Sequence, residues 1–183
     1  MPVLDMVKYG DPVLSSPCAV VDDFGPALAQ LALDMEDTML ASNGGGIAAN
    51  QVGEPLRLFV MKPGAAERER SAISAARLTA RGSLVVVNPV ITREAGMQVG
   101  QDGCLSFPGL KLTTVRPSLI ELTAQSLDGS AFSLSFGVDR TSLRPAQTEE
   151  DRVSRDAMVA SHEIDHLDGT PAHCQRVWLL VDR

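Results

Sequence analysis

Apolar positions along the chain alternate between two periods. Leu28, Leu31, Ala32, Met35, Met39 and Leu40 recur at i, i+3, i+4 and i+7, which predicts an amphipathic helix over 26–41. Its acidic face carries Asp34, Glu36 and Asp37, and Ser42-Asn43-Gly44-Gly45-Gly46 stops it. Pro26, just after Asp22-Asp23-Phe24-Gly25, suits a first helical turn. Upstream, Tyr9-Gly10-Asp11-Pro12-Val13-Leu14 reads as a turn followed by extended chain. Leu56–Met61 reads as a strand, and Leu84–Val87 as a buried strand stopped by Asn88-Pro89. Extended chain continues from Ile91 to Val99. Lys111–Val115 and Leu119–Ser126 alternate as strands do. Asp128-Gly129 is a hairpin signal between Leu119–Leu127 and Ala131–Phe136.

A second helix is expected over Val153–Leu167, with Met158, Ile164 and Leu167 as apolar members and Gly169 closing it. Two stretches interrupt the pattern. Residues 64–83, rich in Ala, Arg, Glu and Ser, read as a partly helical surface excursion. Residues 139–156 are charged and read as an exposed loop or the solvated approach to the second helix. Strands mixed with two helices, without regular βαβ alternation, argue for an α+β fold and a single domain over 1–183.

Composition narrows the classes of function. The chain has 183 residues, 44% hydrophobic and 4% aromatic, with 16 basic and 23 acidic residues for a net charge of −7. No basic arm points to nucleic acid, and no apolar run reaches the roughly 18 residues a membrane span needs. The first ten residues lack the pattern of a signal peptide, which makes Cys18, Cys104 and Cys174 reduced cytosolic thiols. The three histidines, His162, His166 and His173, lie within one short stretch.

His162-Glu163-Ile164-Asp165-His166 is the strongest local signal. Positions i and i+4 share a helix face, so two imidazoles can address one ion while Glu163 serves as base to a water. A hydrolytic site needs a third ligand and an open position. The residues leave three options. The long zinc-protease pattern would want a histidine at 172, where the chain has Ala172 and His173 comes one residue late. A downstream acid has only the last 17 residues to come from. Cys104, in Gln101-Asp102-Gly103-Cys104-Leu105-Ser106, offers a thiolate suited to zinc or iron. Taken singly, the Gly44–Gly46 run is a helix stop, Gln51 a surface polar residue, Cys104 a small buried hydrophobe, and Cys18, Cys174 and His173 ordinary residues.

Three ordered blocks resemble the peptide deformylase family. Gly44-Gly45-Gly46-Ile47-Ala48-Ala49-Asn50-Gln51 is similar to that family's G-x-G-[LI]-A-A-x-Q. Asp102-Gly103-Cys104-Leu105-Ser106 is similar to E-G-C-L-S with one change, and His162–His166 to H-E-x-D-H. The likeness covers roughly residues 5–63 and 84–169. It implies antiparallel sheets around a central helix carrying the H-E-x-x-H motif, and removal of the N-formyl group from formyl-methionine of nascent peptides. Cys104, His162 and His166 are then the metal ligands, with Fe(2+) as the cellular metal and Zn(2+), Ni(2+) or Co(2+) as substitutes. Glu163 is the implied base and acid. The Gln51 side-chain amide and the Leu105 backbone N–H are the implied oxyanion donors. Gly46 is expected to make a backbone contact to substrate. Ile47 and residues near 158–162 are expected at the methionine pocket. Transient ribosome association and a cytoplasmic location follow, with no direct nucleic-acid specificity and no membrane.

Departures from the pattern are Asp102 for Glu, Ser161 for Gln, the two long charged stretches and an atypical end after Gly169. Asp165 is a candidate to hold an imidazole or an arginine such as Arg116, and Asp102 to position the loop of Cys104. Two rival readings stand: a zinc endopeptidase with His173 as third ligand, and an inactive deformylase-like peptide binder.

Overall fold

The apolar residues of two adjacent strands point to both sides of one sheet, and this sets the architecture. A computed structural model of the chain describes residues 3–64, 77–79, 81–139 and 149–170. The elements in chain order are α1 (Pro26–Ala41), β1 (Gly46–Ala48), β2 (Leu58–Met61), β3 (Leu84–Ala95), β4 (Gln98–Gly103), β5 (Lys111–Arg116), β6 (Leu119–Gln125), β7 (Ala131–Gly137) and α2 (Glu149–Leu167). Five strands form an antiparallel sheet in the order β1-β2-β3-β6-β7, and β4 pairs with β5 as a separate hairpin. The fold is α+β, as the mixture of periods predicts.

In β2, Leu58 and Val60 join a cluster with Leu28, Ala32, Met35 and Met39 of α1. Phe59 and Met61 join the opposite cluster with Ala157, Ala160, Ile164 and Leu167 of α2. In β3, Val85 and Val87 face α1 while Leu84 and Val86 face α2. The unbroken run Leu84–Val87 is therefore a strand covered on both faces, which leaves no polar side to alternate with. β7 shows the opposite case: Phe132, Leu134 and Phe136 are buried while Ala131, Ser133 and Ser135 are exposed, so one face meets solvent. Among the described residues, no helix is long and apolar enough to cross a membrane.

Four expectations are corrected. The segment after Tyr9 is not extended: Pro12–Ser15 form a 3-10 turn, capped by Asp11, whose carboxylate accepts from the Val13 N–H at 3.0 Å. β2 begins at Leu58, two residues late, because Leu56 pairs only with Ala19. Asn88-Pro89 does not stop β3. The strand runs on through a register shift between Val87 and Val90, with Asn88 at φ 50°. Asn tolerates the left-handed region. Its side chain repays the bulge by accepting from Val21 N (2.9 Å) and donating to Val21 O and Gln125 Oε1 (both 2.8 Å). The acidic face of α1 is only partly solvated. Glu36 accepts from Thr79 Oγ1 at 2.6 Å, Asp37 pairs with Arg81, and Glu36, Asp37, Thr79 and Ser83 are all buried. The end of the 64–83 stretch thus folds against α1, while 65–76 and 80 lie outside the described residues.

The second helix starts at Glu149, four residues earlier than its apolar pattern announces. It ends as expected, with Gly169 at φ +69°. A Cβ there would lie 2.5 Å from the Ser16 carbonyl carbon. Residues 140–148 and the tail from 171, including His173 and Cys174, fall outside the described residues.

Candidate active site

Helix periodicity sets His162 and His166 one turn apart on α2, with their Nε2 atoms 3.2 Å from each other. The β4–β5 hairpin delivers Cys104 to the same point. It follows β4 directly, and its Sγ lies 3.2 Å from His166 Nε2. The three donor atoms lie within 4.8 Å of one another. A tetrahedral ion with metal–nitrogen bonds near 2.0 Å would have ligand nitrogens about 3.3 Å apart, so the donor set fits a single divalent cation.

The tautomers fit as well. His162 Nδ1 lies 3.0 Å from Asp102 Oδ1, which leaves the Nε2 lone pair facing the cluster. Burial drives the His166 pKa down to about 3, helped by the charge of His162, so this imidazole is a neutral donor. Burial also opposes a charge on His162, but hydrogen bonds to Asp102 and Cys104 and the charge of Glu163 outweigh it and raise its pKa.

Arg116, at the end of β5, ties the hairpin to the helix. Its Nε donates to Asp102 Oδ2 at 2.7 Å. Its Nη1 donates to Asp165 Oδ2 at 2.6 Å and to Ser161 Oγ at 3.1 Å. Both positions where the chain departs from the family pattern, 102 and 161, thus meet on one guanidinium. The shorter Asp102 still reaches both Arg116 and His162. Burial would raise its carboxyl pKa, but those two partners hold it down at about 2. Charges from Asp102 and Asp165 likewise overcome burial and raise Arg116. The expectation that Asp165 holds an arginine is met by Arg116 itself.

Glu163 points into the same space. It is buried, and its Oε2 has no hydrogen-bond partner among the described residues. Burial raises its pKa to about 7, against the lowering charge of His162. Such a carboxyl both takes and returns protons near neutrality. Its seat depends on Gly46, where a Cβ would stand 2.5 Å from Glu163 Oε1. At Gly44, a Cβ would meet Leu105 Cδ1 at 2.9 Å. Gly44 and Gly46 therefore let the backbone pack closely against Leu105 and Glu163, a packing requirement that the glycine run alone does not disclose.

Gln51 is oriented by its backbone neighbour. The Ala48 N–H donates to Oε1 at 2.9 Å, which turns Nε2 toward Ser106 Oγ (3.2 Å) and Cys104 Sγ (3.5 Å). Gly46, Gln51, Leu105, Met158, Val159, His162 and Glu163 all line one groove of about 740 Å³. Ile47 does not, which corrects its expected place at the methionine pocket. It is fully buried in the cluster around Met35 and Val60, because alternation along β1 sends it to the core side. Asn50 has no role predicted from the sequence. Its Nδ2 donates to the His166 carbonyl at 2.7 Å and pins the turn of α2 that carries His166. Only its place inside the glycine-rich block hinted at this.

A cysteine sulfur and two imidazoles converging beside a buried carboxyl suit a metal-dependent hydrolase, and the groove fits that class. Comparison with known proteins makes it specific. A family model described as polypeptide deformylase matches residues 3–176. Peptide deformylase 1 of Bacillus anthracis is 36% identical over 169 residues, 92% of this chain and 89% of its own length. The peptide deformylase of Thermus thermophilus is 39% identical over 162 residues, 88% of this chain and 76% of its own. A crystal structure of class I type b peptide deformylase from Acinetobacter baumannii aligns with a TM-score of 0.72 at 27% identity, covering 96% of this chain and 100% of that one. The chain belongs to the peptide deformylase family.

Proposed function

We propose that this groove removes the N-formyl group from the formyl-methionine of nascent peptides and releases formate. What carries the reading is the convergence of Cys104, His162 and His166 beside the buried Glu163 oxygen that has no partner among the described residues. A divalent cation held by those three ligands would lower the pKa of a water and polarise the formyl carbonyl. Glu163 takes a proton from the attacking water and returns it to the departing amine nitrogen, which also takes up the proton released by the nascent formic acid, so water and the formamide become formate and an ammonium terminus. Gln51 Nε2 and the Leu105 N–H donate to the oxygen on which negative charge develops. β1 is an edge strand of the sheet, and substrate lies extended along it with a backbone contact at Gly46. Met158 and Val159, one turn before His162, offer the apolar wall for the methionine side chain. α2 is then the central helix of the site.

Fe(2+) is the proposed cellular metal. Zn(2+), Ni(2+) or Co(2+) satisfy the same soft donor set. The work belongs in the cytoplasm, near the ribosome. With a net charge of −7, transient ribosome association would use local patches rather than overall charge. The zinc-endopeptidase alternative needs His173 as ligand. It loses ground because Cys104 already completes the set, and His173→Ala against Cys104→Ala in a metal-binding assay separates the two. An inactive peptide binder is disfavoured by the seated Glu163. The deciding experiment is formate release from formyl-Met-Ala-Ser by anaerobically purified, metal-replete protein. Turnover that is lost in Glu163→Gln at equal metal content supports the reading, and an untouched peptide overturns it.

A further inference from the structure

The described rim of the groove carries charge opposite to that of the chain. Among its described lining residues the exposed charged side chains are Lys8, Lys111 and Arg155, all cationic. The acids that line it, Asp102 and Glu163, are buried. Asp102 is engaged by Arg116 and His162, and Glu163 is the proposed base. The three cations come from separate parts of the fold. Lys8 precedes the 3-10 turn, and its Nζ donates to the Leu105 carbonyl at 3.4 Å, beside the metal-binding loop. Lys111 opens β5 on the hairpin. Arg155 stands on α2 one turn before Met158 and Val159. In a chain with 23 acids and 16 bases, an open cleft whose described exposed charges are all positive is a local feature, set against the overall composition.

We propose that Lys8, Lys111 and Arg155 make the groove selective for substrates that carry acidic side chains in the residues just after the formyl-methionine. The proposal rests on the deformylase reading of the same groove. It adds a substrate preference that composition alone would oppose, since a net charge of −7 repels acidic peptides at long range. The selecting charges stand on the walls in solvent, so they act through steering and rim contacts, which salt weakens. The apolar methionine wall and the proton-transferring carboxyl are unaffected in kind, and neutral peptides remain substrates.

The test uses the metal-replete enzyme with three C-terminally amidated peptides: formyl-Met-Asp-Glu, formyl-Met-Ala-Ser and formyl-Met-Lys-Arg. At low ionic strength kcat/KM for the acidic peptide exceeds that for the basic one by about 10-fold, with the neutral peptide between them. The ratio falls toward one as salt is raised to about 0.5 M. Lys111→Glu and Arg155→Glu each lower or invert the ratio. Arg93→Glu makes the same change in net charge on β3, outside the groove, and leaves the ratio as in the wild type. An acidic-to-basic ratio within twofold of one, or a ratio that the two groove variants do not move, overturns the proposal. If formyl-Met-Ala-Ser itself is not deformylated, the functional reading fails instead, so the two failures are distinguishable.

Discussion

Gly46→Ala is a small change that should act on the chemistry more than on the fold. A Cβ at position 46 would stand 2.5 Å from Glu163 Oε1 and 2.9 Å from both its Cγ and Cδ. Ordinary contacts begin near 3.4 Å, so the carboxyl must retreat by about 0.5–1 Å. The clash involves Cγ and Cδ as well as the carboxyl oxygen of a buried side chain, so overpacking costs about 1–3 kcal/mol. The same displacement moves the proposed base away from the water and the amine nitrogen, and a 1 Å misplacement costs on the order of 100-fold in rate. The expected outcome is a kcat for formate release lowered by about 100-fold, with one metal per chain retained and a melting temperature lowered in line with that overpacking. Gly45→Ala is the comparison. Its Cβ would meet only Val159 Cγ2, at 3.5 Å, and the variant should lose far less. A Gly46→Ala enzyme with kcat within about threefold of wild type would refute the idea that bare backbone at 46 seats Glu163. The assay couples formate release to a dehydrogenase, with metal content measured on the same sample.

Other consequences follow from the buried charges and the bulge. Arg116→Met leaves Asp102 and Asp165 without their shared cation. Unfolding stability, from denaturant titration, should fall by about 3–5 kcal/mol, and metal affinity by at least tenfold. The Asp102 carboxyl is held at about 2 in the folded protein against 3.8 ordinarily. A depressed carboxyl contributes stability that is complete above its unfolded value and is lost as pH falls through the folded one. Metal-free protein should therefore lose about 2 kcal/mol between pH 4 and pH 2 on this account, and Asp102→Asn should lack that part of the acid limb. Asn88→Ala removes three side-chain hydrogen bonds and leaves a left-handed backbone for alanine to occupy. It should destabilise by about 2–4 kcal/mol without changing kcat.

Much of the site was legible because its chemistry is written in local spacing. His162, Glu163 and His166 are set by one helical turn, and Cys104 sits at the end of a short strand beside glycine. The α1 boundaries at Pro26 and Ala41 match the apolar period and its glycine stop. Misread features depend on contacts distant in sequence. The solvated look of Glu36 and Asp37 gives no hint that Thr79 and Arg81 cover them. The Asn88-Pro89 pair looks like a stop because the partners that make it a bulge, Val21 and Gln125, lie far away in the chain. Ile47 reads as a pocket residue beside Gly46, but a strand sends neighbouring side chains to opposite faces, and only the three-layer packing says which face is the core. The charge of the groove was invisible for the same reason: Lys8, Lys111 and Arg155 are neighbours only in the folded molecule.

The central claim is that one divalent cation, held by Cys104, His162 and His166, makes this groove a deformylase. Titrating Fe(2+) or Ni(2+) anaerobically into metal-free protein, with formate release from formyl-Met-Ala-Ser as the readout, tests it most directly. Activity should rise linearly, break at one equivalent per chain, and stay at baseline throughout for Cys104→Ala. Full activity without added metal, or a Cys104→Ala protein that reaches the same break, would contradict it.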